Sequence, residues 1–287
     1  MKPVHFALAA LVLVAACQRG TDDEATRTVA EAPPAQPQAD PQVTEAEQAA
    51  PLTYSRETAY ADVELTLPEA VIAYPDLHAT LYREEVQGMR AFLEGAQSDH
   101  TEYSGEDGFP PYERSVTYEV AGQSARLLSL TEVSYEYTGG AHPNSSFGAV
   151  LWDKTADRRL QPASLFRRGA DMTALDRALC DAINTARSAL MDEPSSLTLE
   201  GGGAFTCPRA AQTPFVLAAS TTGGRVGGLE FLIGPYQVGP YAEGSYQIVV
   251  PQSAFRSLID PAFSAEFAGQ PRRVGDVTDR GGVTQAR

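Results

Sequence analysis

The chain reads as an α+β protein, antiparallel sheets with helices packed on them, on three observations. Apolar residues return at helical spacing in two stretches, they alternate with polar residues in several others, and glycine pairs punctuate the alternating ones. The first helix is predicted over about residues 75–96. Tyr82, Val86, Met89 and Leu93 are spaced by four, three and four, with Leu81 and Phe92 beside them, so one side should face a sheet. Tyr112, Arg114, Val116, Tyr118 and Val120 then alternate with polar residues, and Leu127 to Tyr137 carries aliphatic and aromatic side chains with a period of two. These two stretches are expected to pair antiparallel.

The theme repeats after Gly139-Gly140. Phe147–Trp152 reads as a strand, Asp153–Asp157 as a turn and Arg158–Leu160 as the returning strand. Leu175, Leu179, Ile183, Ala186 and Leu190 keep helical spacing, with Asp171 or Thr173 available to cap the start. Strands are expected at Phe215–Ser220, Leu229–Ile233 and Tyr246–Val250. Gly223-Gly224 and Gly227-Gly228 read as turns, and Gly234–Gly244 as a Pro/Gly-rich connection. Pro251 should end the last strand, and Phe255, Leu258 and Ile259 give a short helix over about residues 252–259 one apolar side. Residues 263–287 are expected as a polar tail.

Ahead of this folded part lies a different kind of sequence. A single Lys2, an apolar run from Phe6 to Ala16 and small residues before Cys17 resemble a lipoprotein signal, with residues 1–16 removed and Cys17 acylated. More than one acyl chain makes such anchoring stable. Gln18, rather than an acid, follows the cysteine, which resembles the pattern sent to the outer membrane. From Gln18 to Thr53 there are five prolines, seven acids, two arginines and no aromatic residue, so residues 17–53 are expected to be a disordered tether. The expected location is the cell envelope, facing the periplasm or the exterior.

The net charge of −15 becomes one unit more negative once Lys2 is removed. No basic patch points to nucleic acid, so that partner class is excluded. An acidic surface would attract cationic partners, or would simply keep the protein soluble. With Cys17 assigned to lipid, Cys180 and Cys207 remain in an oxidising compartment and are expected to form a disulfide. Two buried free thiols and a catalytic cysteine are the alternatives.

Chemical motifs are sparse. His78, His100 and His142 are scattered, and the sequence has no His-Glu-x-x-His, no Cys-x-x-Cys, no Gly-x-Ser-x-Gly and no phosphate-binding glycine loop. No cofactor or metal is expected. The candidate binding residues are Tyr137, Gly139, Gly140, His142 and Asn144, because the glycines permit a sharp turn that brings the His142 ring to a rim. The other reading of His142 is a ring hydrogen-bonded to nearby backbone. Tyr236 and Tyr241 are expected to pack in a core or rim rather than to touch a ligand.

Three stretches carry a resemblance. Tyr137-Thr138-Gly139-Gly140-Ala141-His142-Pro143-Asn144 is similar to a Tyr-x-Gly-Gly-Ala-His-x-Asn signature of the RsiV/PdaC-like extracytoplasmic domains. Gly234–Gly244, running into Ile248–Pro251 and Ser253–Phe255, resembles the strand pair before that family's final helix, and Leu160–Phe166 the link before its long helix. The resemblance implies a PdaC-type N-terminal α+β region over residues 54–138 and an RsiV-like C-terminal region over residues 139–262. It does not imply catalysis. In deacetylases of the PdaC kind the reaction belongs to a separate metal-dependent domain with an Asp-Asp pair and a His-x-x-x-His motif. Here the only adjacent aspartates are Asp22-Asp23, and no two histidines lie four apart. The expectation is therefore a non-catalytic, lipid-anchored envelope module that binds or senses a protein or peptidoglycan component, such as a lysozyme-like protein. A small wall hydrolase using His142 as base, or a structural lipoprotein, is the alternative.

Overall fold

The computed structural model describes residues 50–103 and 110–279. Cys17, the signal and nearly all of the tether lie outside the described residues. The first sheet has six strands in chain order: β1 (Thr53–Glu57), β2 (Ala61–Thr66), β3 (Tyr112–Gln123), β4 (Leu127–Tyr137), β5 (Asn144–Asp153) and β6 (Arg158–Leu160). The second has four: β7 (Phe215–Ala219), β8 (Val226–Ile233), β9 (Tyr246–Pro251) and β10 (Gly275–Asp276), in the order β10-β9-β8-β7. Helix α1 (Pro75–Glu102) covers the first sheet and α2 (Thr173–Leu190) the second. Antiparallel pairs dominate, and the fold is α+β.

Two strands precede α1 that hydropathy did not announce. Ala61, Val63 and Leu65 point into the core while Asp62 and Glu64 are exposed, a clear alternation in a run of only six residues. β2 pairs with β3 in parallel, because α1 carries the chain back across the sheet between them. The other neighbours in this sheet are antiparallel. The described chain takes in residues 50–53, the last four of the expected tether, and the Pro51 carbonyl meets Nε2 of buried His78 at 3.1 Å.

Helix α1 buries Leu77, Leu81, Val86, Met89, Leu93 and Ala96 at helical spacing, and it begins at Pro75, where a missing N–H costs nothing. It runs six residues past the expected end: Gln97 to Glu102 are polar but contain no helix breaker. Helix α2 spans the predicted stretch. Asp171 bonds the Thr173 amide at 3.0 Å, though Met172 occupies the cap position itself.

β4 explains how the molecule is layered. Leu127 to Leu130 are buried on both faces, Leu128 and Leu130 against α1, Leu127 and Ser129 against the second sheet. Beyond Leu130 the second sheet no longer covers the strand, and residues 131–137 become half-buried. That uncovered half is the floor of the site described below.

The expected boundary between residues 138 and 139 falls inside the β4–β5 hairpin. The first sheet continues to Leu160, and the second does not start until Phe215. Residues 263–279 are not a polar tail: Phe263, Phe267 and Val277 are buried, and β10 pairs with β9. The apolar spacing of Phe263 and Phe267 carried this signal. The stretch 252–259 forms two short 3₁₀ turns instead of one helix.

Cys180 of α2 is bonded to Cys207. The segment this bond fastens has other ties as well. Asn184 exchanges two hydrogen bonds with the backbone of Leu197, at 2.8 and 3.0 Å, and Asp176 accepts from the Ala210 amide at 2.8 Å and from Arg209 at 3.1 Å.

Candidate functional site

A cleft of about 960 Å³ lies over the open face of β1–β5. Its floor follows from register. Glu57 stands opposite Asp62, and Asp62 beside Glu113, so three carboxylates occupy one row across β1, β2 and β3. The next row is Ser55, Glu64, Ser115, Tyr135 and Ser145. All four acids are exposed, and among the described residues none of them is in an ion pair. Like charges at directly opposed strand positions destabilise a sheet. Folding alone therefore gives no reason for this row. Burial pushes the Tyr135 hydroxyl up from its ordinary value, and Glu113, which accepts its hydrogen bond, adds to the shift.

One wall is aromatic and begins at the β4–β5 turn. Gly139 and Gly140 have φ of +83° and +100°, and an added Cβ at either would meet open space. The sign of φ, rather than crowding, demands glycine at both. The Tyr137 hydroxyl donates to the Gly140 carbonyl at 3.3 Å and closes the turn. Two residues on, His142 stacks on Tyr241, centroids 3.9 Å apart and planes 15° from parallel. Its Nδ1 faces the Pro143 carbonyl at 2.9 Å, an acceptor only, so Nδ1 carries a hydrogen. Nε2 is 3.1 Å from the Tyr236 hydroxyl and can accept from it. The Tyr241 hydroxyl donates to the same Pro143 carbonyl at 3.0 Å.

Of the residues singled out in the sequence, His142 lines the cleft, Tyr137, Gly139 and Gly140 shape its turn, and Asn144 is exposed at the start of β5. Tyr236 and Tyr241, expected only as packing, are the partners of His142. Tyr236 is 53% exposed and has φ of +65°, a conformation that non-glycine residues rarely adopt.

The loop that presents these two tyrosines is fixed from below. Arg187 of α2 grips Glu243 with two hydrogen bonds, 2.6 and 3.2 Å, and both side chains are more than nine-tenths buried. Tyr246 also donates to Glu243 at 2.8 Å. Gly239 makes the room, because a Cβ there would fall 2.0 Å from the Glu243 carboxylate. Hydrogen bonding to Glu243 raises the already high Arg187 value further. Sequence reasoning missed this pair: Arg187 and Glu243 lie 56 residues apart, and the one available signal was an arginine on the apolar side of α2.

Glu57, Asp62, Glu64 and Glu113 were missed as well. They are scattered in sequence, and only β-register assembles them. Among the described residues no group of three His, Cys, Asp or Glu side chains is placed to hold a metal ion.

Residues 54–145, from β1 to the first residues of β5, match a family model described as Deacetylase PdaC. The match includes most of the cleft floor together with Tyr137 to Asn144. No curated protein matches the chain. Among solved structures, the chain is similar to a member of the DUF3298 family from Bacteroides fragilis, with 18% identity over 75% of this chain and 96% of that one and a TM-score of 0.48. It is also similar to a DUF3298 family protein from Pseudomonas aeruginosa, with 15% identity over 78% of this chain and 99% of that one and a TM-score of 0.45.

Proposed function

We propose that this protein is a lipid-anchored, non-catalytic binding module of the bacterial cell envelope and that the cleft over β1–β5 receives its ligand. The observation that carries this reading is the row of unpaired carboxylates ending at the His142–Tyr241 wall. With four acids against Arg56 and Arg114 in its lining, the cleft has an excess of negative charge that suits a cationic partner, because complementary charge accelerates and orients association. The resemblance of Tyr137–Asn144 and Gly234–Phe255 to RsiV/PdaC-like domains favours a lysozyme-like protein or another cell-wall component as that partner. His142 is held at the rim by Pro143 and Tyr236 and by its stack on Tyr241, a preorganised surface that suits binding.

The test is titration of the chain with a cationic lysozyme at low and high salt. Binding should weaken as salt screens the charges, and Glu64→Gln with Glu113→Gln should weaken it further at low salt. Deacetylation or hydrolysis of wall fragments by the purified protein, lost on His142→Ala, would replace this reading with an enzymatic one. The anchoring half is tested separately. Cys17→Ser should abolish lipid labelling and release the chain from membranes, and unchanged membrane partition would remove the anchor from the proposal.

A further inference from the structure

On the opposite face of the same sheet, the Tyr118 hydroxyl lies 2.7 Å from Oε1 of Glu85 on α1 and 3.0 Å from Oε2 of Glu132 on β4. A phenol carries one hydrogen. It can donate that hydrogen to one carboxylate. The other carboxylate oxygen, at the same short range, faces a phenol lone pair and forms a bond only if it brings a hydrogen of its own. We propose that Glu85 and Glu132 hold one proton between them across Tyr118, forming an acid–phenol–carboxylate chain that clamps the middle of α1 to the sheet and loosens when the proton leaves.

The surroundings make retention of a proton favourable. Tyr118 is 3% exposed, and neither glutamate is fully in water. Gly148 of β5 leaves space for the Glu132 carboxylate, since a Cβ there would lie 2.5 Å from Oε2. The charged groups facing the chain come from four elements. α1 adds Glu84, which is engaged at 3.4 Å by Arg159 of β6. β3 adds Arg114, which is engaged at 3.5 Å by Glu136 of β4. From β4 the Ser134 hydroxyl donates weakly to Glu132 at 3.4 Å, and β5 contributes no charge beside Gly148. Four acids therefore meet two arginines, and each arginine is drawn to a different acid. Burial pushes the Glu85 carboxyl up, opposed by its Tyr118 bond and Arg114 and reinforced by Glu132 and Glu84.

A raised value in the folded state means that the clamp is at full strength below the unfolded glutamate value of about 4.3 and is lost as pH rises through the folded value. α1 is therefore held more tightly in acid.

Glutamine at either acid keeps the shape and supplies a permanent N–H. The experiment compares thermal unfolding of the full chain with Glu85→Gln and with Glu132→Gln across pH, alongside a carboxyl titration by NMR of ¹³C-glutamate-labelled wild type. Relative to the wild type, either variant should gain roughly 2–4 °C as pH rises above the ordinary glutamate value of about 4.3, and one glutamate signal should titrate above that value. A difference between variant and wild type that stays constant across pH, or glutamate signals that all titrate near the ordinary value, would overturn the proposal. Where a variant does not fold, the wild-type titration alone decides.

Discussion

The amide of Leu217 on β7 donates to the hydroxyl of Ser129 on β4 across 2.9 Å. The same hydroxyl donates to the Gly122 carbonyl at 3.1 Å, so one buried serine serves both sheets where they meet. The approach is close enough that a Cβ on Gly122 would fall 2.0 Å from the Leu217 carbonyl oxygen, and β3 bulges there to admit it. Gly122→Ala forces backbone to move and is expected to cost about 3 kcal/mol or more. Ser129→Ala leaves a buried donor and acceptor unpaired and should cost about 2 kcal/mol. Urea denaturation of the two variants measures both losses, and a wild-type midpoint for Gly122→Ala would contradict the packing described.

Removing one side of the Arg187–Glu243 pair strands a buried charge. Arg187→Met or Glu243→Gln should destabilise the protein by about 3–5 kcal/mol. Both variants should also free the Tyr236–Tyr241 loop, seen as faster amide exchange there than in β8 and β9. If exchange accelerated equally throughout, the pair would be holding the core rather than the loop.

Asp153 should set an acid limit to stability. Its carboxylate is fully buried and accepts from Arg126 at 2.6–3.0 Å, which holds it below the ordinary carboxylate value. Folding thus favours the ionised form, and the contribution is present above about pH 4 and lost as pH falls through the lowered value. Asp153→Asn should cost about 3 kcal/mol at neutral pH, the low end for a broken pair because Arg126 is 30% exposed. The difference from wild type should shrink below about pH 4 in denaturant titrations.

Opening the Cys180–Cys207 bond should lower stability by roughly 3–4 kcal/mol in the chain-entropy view. The Asn184–Leu197 bonds should keep the segment docked even so. Cys180→Ser with Cys207→Ser is therefore expected to melt lower but fold, and adding Asn184→Ala should cost more in that background than in the wild type. Equal costs in both backgrounds would mean that the two ties act independently.

What could be read in the sequence follows the range of the interactions. α2 was legible because Leu175, Leu179, Ile183 and Ala186 report burial within eighteen residues, although Leu190, at the same spacing, ends exposed. β3 and β4 were legible because alternation and apolar runs need only neighbouring residues. β2 was missed because its apolar members, Ala61, Val63 and Leu65, are few, and nothing local reveals that it pairs in parallel with a strand beyond α1. The site divided along the same line. His142 was visible through the glycines beside it, which fix the local backbone. Its partners Tyr236 and Tyr241 lie more than ninety residues away, and the carboxylate row exists only once three strands are in register.

The first sheet has its strands side by side in the order of synthesis, so each new strand finds its neighbour already made. The second is sequential too, β7 to β10 side by side, but its core is completed only when Phe263 and Phe267 enter it from the last tenth of the chain. The topology favours early consolidation of the half that bears the carboxylates and late closure of the half that presents Tyr236 and Tyr241. The two walls of the cleft therefore reach their final form at opposite ends of folding, and a chain stopped short of residue 263 would carry the floor without a settled aromatic wall.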